Sequence, residues 1–200
     1  MVRISINNKK QIEIIKELKT LCDSNNLKFW ILGGWGIDAL LNKITREHND
    51  IDIIVSYSDR SLYKNLIKAF ADEIIEDSEV RLWFLKYNIK CDVRFYQKLK
   101  NGELIMDLNK SDPLVYPTPP DSFPDEINGN LPGVKIRAVS WSFHYAAKEG
   151  YYCYINVPLR EKDKKDLDII HKNLSEARRE ELKKYFPGIK RESAGSITTV

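Results

Sequence analysis

The sequence predicts an α+β fold, a small mixed β-sheet with flanking helices followed by a short C-terminal helical segment. Three observations carry this expectation. Apolar residues recur at helical spacing near the start of the chain, short β-branched and aromatic runs separated by turn signals fill its middle, and helical patterning returns from Trp141 onward. With 200 residues, 42% of them hydrophobic and 30% charged, the chain can bury one core, or one domain with a smaller companion. A boundary near Ser140 divides residues 1–139, an α/β domain, from residues 140–200, a helical segment.

The elements follow in order. Ile12, Ile15, Leu18, Leu21 and Cys22 share one face of a first helix, with Asn7 or Asn8 as its cap. "LKFWIL" is a short apolar strand. The pair Gly33-Gly34 turns the chain into a helix over "GIDALLNK", and "DIDIIV" alternates before becoming continuously apolar, as a half-buried strand does. "SDRSLYKNLIKAFA" is a capped helix. "VRLWFLKY" and "IKCDVRFYQ", parted near Asn88, and "GELIMDL", after the turn signal Asn101-Gly102, suggest a meander on one edge of the sheet. Six of the eight prolines fall between Asp112 and Gly133, which marks an irregular loop bordering a pocket. "VKIRAVS" is a last short strand. The helices "WSFHYAAKEG", "LREKDKKDLDIIHKN" and "SEARREELKKYF" follow, the last ended by Pro187-Gly188, and the tail "ESAGSITTV" is frayed.

Composition narrows the function. No apolar run reaches the roughly 18 residues of a membrane span, and the N-terminal "MVRISINNKK" lacks a signal peptide's apolar stretch; the expectation is a cytoplasmic protein with no membrane partner. Cys22, Cys91 and Cys153 form no C-x-x-C pair and read as reduced and structural. The net charge is +3, and eleven of the 32 Lys and Arg against eight of the 29 Asp and Glu lie from Pro158 onward, so the whole excess sits in the C-terminal segment. This is too mild for a nucleic-acid footprint. The sequence leaves the oligomeric state open, a homodimer included.

The chemistry concentrates in "ILGGWGIDALLNKITREHNDIDIIV", residues 31 to 55. Side chains alternate along a strand, so Asp50 and Asp52 project from one face while Ile51 and Ile53 enter the other. Such a pair is either an ordinary feature of a surface strand or a site for a hard cation such as Mg²⁺, which takes carboxylate and phosphate oxygens. Gly33 and Gly34, between a strand and a helix, are either a plain turn or a phosphate cradle whose backbone N–H groups and helix dipole face an anion. Asp92, in "KCDVRFYQ", shares a face with Arg94 and Tyr96; it completes the metal site, acts as general base for a hydroxyl, or pairs with Arg94.

These residues resemble the signature of the aminoglycoside and lincosamide nucleotidyltransferases of the DNA polymerase β-like nucleotidyltransferase superfamily. Leu32, Gly33, Gly34, Asp50, Ile51, Asp52 and Ile53 fill the general pattern, and the "GGW...D...TREH.D.D" form is similar to the antibiotic-modifying branch, where a third aspartate follows on a later strand. Asp92, forty positions after Asp52, fits. The resemblance spans about residues 28 to 95. It implies a polymerase β-like nucleotidyltransferase fold in which Asp50, Asp52 and Asp92 bind one or two Mg²⁺, Gly33 and Gly34 cradle the phosphates of ATP or another NTP, and Asp92 serves the acceptor hydroxyl. The implied reaction moves an NMP, AMP from ATP, to a hydroxyl of an aminoglycoside or lincosamide and releases pyrophosphate. Two alternatives keep the fold: a protein, RNA or other metabolite as acceptor, or a non-catalytic nucleotide-binding module.

Neighbouring residues have two readings each. Arg46 touches the triphosphate or an acidic partner, His48 orients by hydrogen bonding, and Trp35 supports the nucleotide or packs a helix. Asp38 complements the helix dipole. Arg160, Lys162 and Lys165 reach phosphates or form helix pairs such as Glu161 with Lys165. His144 and His171 read as ordinary helix residues, and Asp112, Asp121, Asp125 and Glu126 as an acidic rim or a solvated loop.

Overall fold

Ser5 opens the first helix: its hydroxyl accepts from the backbone N–H of Asn8, and α1 runs over Ile6–Ser24. Asn7 and Asn8, expected as caps, lie inside the helix and bind elsewhere. The structure, a computed structural model, describes residues 4–107, 115–155 and 158–186. They form two compact units, one of the residues up to Tyr96 with Phe123–Ser140, the other of Gln97–Ser122 with the residues from Trp141 onward.

In the first unit, β1 (Phe29–Leu32), β2 (Asp50–Ser56), β3 (Glu73–Asp77), β4 (Arg81–Lys86) and β5 (Ile89–Lys98) lie in the order β1-β2-β5-β4-β3. β5 pairs with β2 in parallel, and the other neighbours are antiparallel. The expected meander forms, with Arg81–Lys86 antiparallel to β5 and the later strand Leu104–Asp107 paired with β5 as well, but β2 also pairs with β5, so β5 is an inner strand and the meander is not confined to an edge. The parallel return is made by α3 (Arg60–Phe70), whose Tyr63 and Ile67 are fully buried. β3 had no sequence expectation, because "DEIIED" carries as much charge as apolar surface and three of its residues are exposed.

The sheet is two-faced. Ile51, Ile53 and Val55 of β2 and Cys91, Val93 and Phe95 of β5 enter one core with Ile12, Ile15 and Leu18 of α1. Asp50, Asp52, Asp92 and Arg94 alternate with them and are half-buried. The second helix, α2 (Gly33–Leu41), starts at the glycine pair itself and ends on Asn42, which is left-handed (φ 53°). Two short strands fall in the proline-rich stretch read as irregular: β7 (Val115–Thr118) and β8 (Gly129–Leu131). β8 pairs with β9 (Val134–Ile136) across Pro132-Gly133, with Gly133 at φ +77°, the conformation a Pro-Gly turn supplies. Beyond it, Ile31 of β1 donates to Arg137 O (2.9 Å) and accepts from Val139 N (3.0 Å), so this segment closes the free edge of β1.

Cys22 and Cys91 are buried free thiols, and burial, helped by Asp23, pushes Cys22 up to about 12. The side chain of Cys153, the Pro187-Gly188 stop and the tail lie outside the described residues. No helix among the described residues is long and apolar enough to cross a membrane.

The second unit holds the antiparallel pair β6 (Leu104–Asp107) and β7, and the helices α4 (Trp141–Ile155), α5 (Glu161–Asn173) and α6 (Glu176–Leu182). Its helices meet around buried charge. Lys148 of α4 lies 2.9 Å from both Asp163 and Asp166 of α5, and Asp163 also accepts from Tyr152 and Arg160. Burial alone would raise the Asp163 carboxyl, but the hydrogen bonds from Arg160, Tyr152 and Lys148 hold it well below the usual range. Arg160 is thus engaged within the helical unit, and Glu161 pairs with Lys164 (2.6 Å) rather than Lys165. Asp121 binds Ser142 and Arg178, so it belongs to the packing of this unit.

His144, one turn before Lys148, is 2% exposed and its Nε2 has no hydrogen-bond partner. Burial, and then the nearby Lys148, lowers its pKa from 6.5 to about 3 despite Asp166. The folded state thus refuses a proton that the unfolded chain accepts, so stability is lost as pH falls from 6.5 toward 3, at up to about 1.4 kcal/mol per pH unit. His144→Phe should flatten that part of the stability profile, as read by thermal unfolding at a series of pH values.

Candidate active site

The site is built from the junction of β1 with α2 and from two neighbouring strands. The register sets Leu32 beside Asp52, Asp52 beside Asp92 and Asp92 beside Trp83, one row across four strands. Asp50 lies two residues back on the same face, opposite Lys90. Gly33 has φ +65°, and a Cβ placed there would come within 2.3 Å of Asp52 Oδ2. Only glycine permits this backbone to lie against the carboxylate. A Cβ on Gly34 would meet Arg46 Nη2 and His48 Nδ1, both at 2.5 Å, so the guanidinium of Arg46 stands at the first turn of α2. No side chain caps α2, and its first N–H groups retain their affinity for anions.

The segment between α2 and β2 is fixed from below. Asp38, fully buried, accepts from Thr45 N (3.1 Å), Thr45 Oγ1 (2.5 Å) and His48 Nε2 (2.7 Å). Arg46 Nη1 is 3.1 Å from His48 Nδ1. Arginine can only donate, so Nδ1 accepts and Nε2–H donates to Asp38. Asn7 and Gln11 of α1 both donate to His48 O at 2.7 Å, and Asn8 exchanges bonds with Arg46 O and His48 N. Trp35 is buried, donates to Gln11 Oε1 (2.6 Å) and packs 4.2 Å from the His48 ring; it is part of this support. Asp38 is therefore a hydrogen-bonding hub rather than a partner of the helix dipole.

Asp92 takes the pairing that its strand pattern allowed, and more. Arg81 of β4 forks onto it, Nε to Oδ1 at 3.0 Å and Nη2 to Oδ2 at 2.6 Å, while Arg94 Nε lies 3.2 Å from Oδ1. Among the described residues no three His, Cys, Asp or Glu side chains are arranged to hold a metal ion. The arginines hold the third carboxylate. Asp50 and Asp52 remain a half-buried pair of hard oxygen donors on one face beside a glycine cradle, a donor set that suits Mg²⁺ with phosphate oxygens as its other ligands. Both raise the buried Cys91 thiol on the far side of the sheet, after the larger effect of burial. Of the acidic rim, Asp125 pairs with Lys28 (2.7 Å), and Asp112 lies outside the described residues.

The model of the aminoglycoside-2''-adenylyltransferase family matches residues 14–170. The chain belongs to this family. Its curated relatives include the 2''-aminoglycoside nucleotidyltransferases of Escherichia coli and Klebsiella pneumoniae, each 26% identical over 149 residues, 70% of this chain and 76% of theirs. Among solved structures it is similar to ANT(2'')-Ia in complex with adenylyl-2''-tobramycin (TM-score 0.72, 22% identity, 88% of this chain and 97% of that one). It is also similar to the lincosamide antibiotic adenylyltransferase LnuA with lincomycin bound (TM-score 0.58, 21% identity, 78% and 93%).

In this nucleotidyltransferase, sequence reasoning missed Arg81, Asn8 and Gln11. Arg81 had a usable signal in the break near Asn88: there Tyr87 and Asn88, at φ 51° and 61°, form a two-residue hairpin turn that fixes the register of β4 on β5. Asn8 and Gln11 reach a loop some forty residues away, which no local pattern reports.

Gly33→Ala should cost about 1–2 kcal/mol from the left-handed backbone alone, and the contact with Asp52 adds to it; urea unfolding measures the loss. Asp38→Ala leaves the Thr45 and His48 donors without their buried acceptor and should cost about 3 kcal/mol by the same measurement.

Proposed function

We propose that this nucleotidyltransferase moves an NMP, AMP from ATP, onto a hydroxyl of a small-molecule antibiotic, an aminoglycoside or lincosamide, and releases pyrophosphate in a Mg²⁺-dependent reaction. One observation carries the reading: the parallel register that sets Asp52 beside Asp92, with the backbone of Gly33 against Asp52. The acceptor class follows the family and the molecules bound in the similar structures, adenylyl-2''-tobramycin and lincomycin.

Asp50 and Asp52 are the residues that would hold Mg²⁺, whose charge offsets that of the triphosphate and of the departing pyrophosphate. The N–H groups of Gly33 and Gly34 at the start of α2 bind phosphate oxygens, and Arg46, set against Gly34 by His48, adds a fixed positive charge. Asp92 orients the acceptor hydroxyl and takes its proton as the oxygen bonds to the α-phosphorus and the bond to pyrophosphate breaks. Preorganisation supplies the rest: the loop carrying Arg46 is already hydrogen-bonded to α1.

Asp50→Asn and Asp52→Asn should each abolish turnover, whereas Asp92→Asn should keep Mg-nucleotide binding and lose transfer. An unchanged rate in any of the three removes that residue from the mechanism. The direct test is pyrophosphate release from each NTP with Mg²⁺ against a panel of aminoglycosides and lincosamides, with Asp52→Asn as control. Release that depends on one drug class identifies the acceptor. Silence across the panel, with Mg-ATP still bound, points to a protein, RNA or other metabolite instead.

A further inference from the structure

We propose that Arg81 is a resident counter-cation that withholds Asp92 from divalent metal, and that Asp92 becomes a metal ligand only when this guanidinium leaves. The inference rests on the reading of Asp50, Asp52 and Asp92 as the metal and acceptor carboxylates.

Both oxygens of Asp92 are taken by arginine, Oδ1 by Arg81 Nε (3.0 Å) and Arg94 Nε (3.2 Å), Oδ2 by Arg81 Nη2 (2.6 Å). A planar two-point fork is the strongest ion pair a side chain offers a carboxylate, and it satisfies the same lone pairs a cation needs. Arg81 also has a second destination. Its Nη1 already lies 3.2 Å from Glu76 Oε2, and the Trp83 ring sits 4.9 Å from its guanidinium carbon.

Glu76 is placed there by a break in β3. The register of β3 on β4 shifts between Ile74 and Glu76, which sets Glu76 beside Trp83 and extends the row Asp52, Asp92, Trp83 by one more strand. An uninterrupted ladder would have put Ile75 opposite Trp83. Arg81 is therefore compensated in both positions, on Asp92 or on Glu76. Its side chain is 26% exposed, so the exchange needs no opening of the core. A divalent ion arriving at Asp92 repels the guanidinium toward the carboxylate it already touches.

Mn²⁺ alone, titrated into the nucleotide-free protein and followed by electron paramagnetic resonance of the free ion, reads this competition without turnover. Arg81→Met should bind Mn²⁺ about tenfold more tightly than the parent, because removing the fork frees a charged acceptor, and Arg81→Met/Asp92→Asn should lose that gain. Arg81→Lys, which keeps the charge without the fork, should fall between them, and it replaces Arg81→Met if circular dichroism shows that variant unfolded. Equal Mn²⁺ affinity in Arg81→Met and the parent overturns the proposal, as does a gain that survives Asp92→Asn. Asp52→Asn separates the two ideas: unchanged Mn²⁺ binding in that variant removes the strand pair as a metal site, whereas the contrast between the Arg81 single and double variants still decides Arg81.

Discussion

The parallel pairing of β2 with β5 is the constraint on which the site depends. Two strands that run side by side in the same direction place residues a fixed number apart at the same level, and here that offset is forty, from Asp50 and Lys90 through Ser56 and Tyr96. The same ladder sends Ile51, Ile53, Cys91 and Val93 into the core. A slip by one residue would carry the acidic residues inward and the apolar ones outward, so burial of the core fixes the neighbourhood of the carboxylates. The distance in sequence between Asp52 and Asp92 is the length of a helix, which leaves the sheet, and of two strands, which extend it beyond β5.

A second constraint acts on the segment before β2. Charged and polar groups there have no helix or sheet to satisfy them, and the fold answers with Asp38 below and three amide side chains of α1 beside. Buried polar groups bonded on every side specify one conformation, because each alternative leaves a donor or acceptor bare. This is how a loop of ordinary composition can hold an arginine at a helix terminus.

Much of the first unit was legible in the sequence because its signals are local. The alternation in "DIDIIV", the apolar period of α1 and the glycine pair name their elements without reference to the rest of the chain. Asp92 was named by its strand pattern, and the family resemblance added its spacing of forty from Asp52. Other features depended on partners far away. The meander was placed at an edge because nothing in "IKCDVRFYQ" announces that β2 pairs with β5 in parallel, and β3 was hidden by its charges. The Asp92 carboxylate illustrates the division: its face followed from alternation, and its pairing with Arg94 was one of the readings, but the stronger fork from Arg81 required the hairpin register.

The closure of β1 by residues 137–139 has a consequence for how the molecule is made. During synthesis the chain emerges from its N-terminus, so β1 and β2 are available long before the segment that covers the outer edge of β1. Until Val139 has emerged, Ile31 presents an unpaired N–H and C=O to solvent, and the first unit cannot be completed by the residues before Tyr96. The strand that leads into the glycine cradle is therefore sealed only after the ribosome has passed Val139, and vectorial folding of this unit must wait for a stretch that follows an excursion into the other.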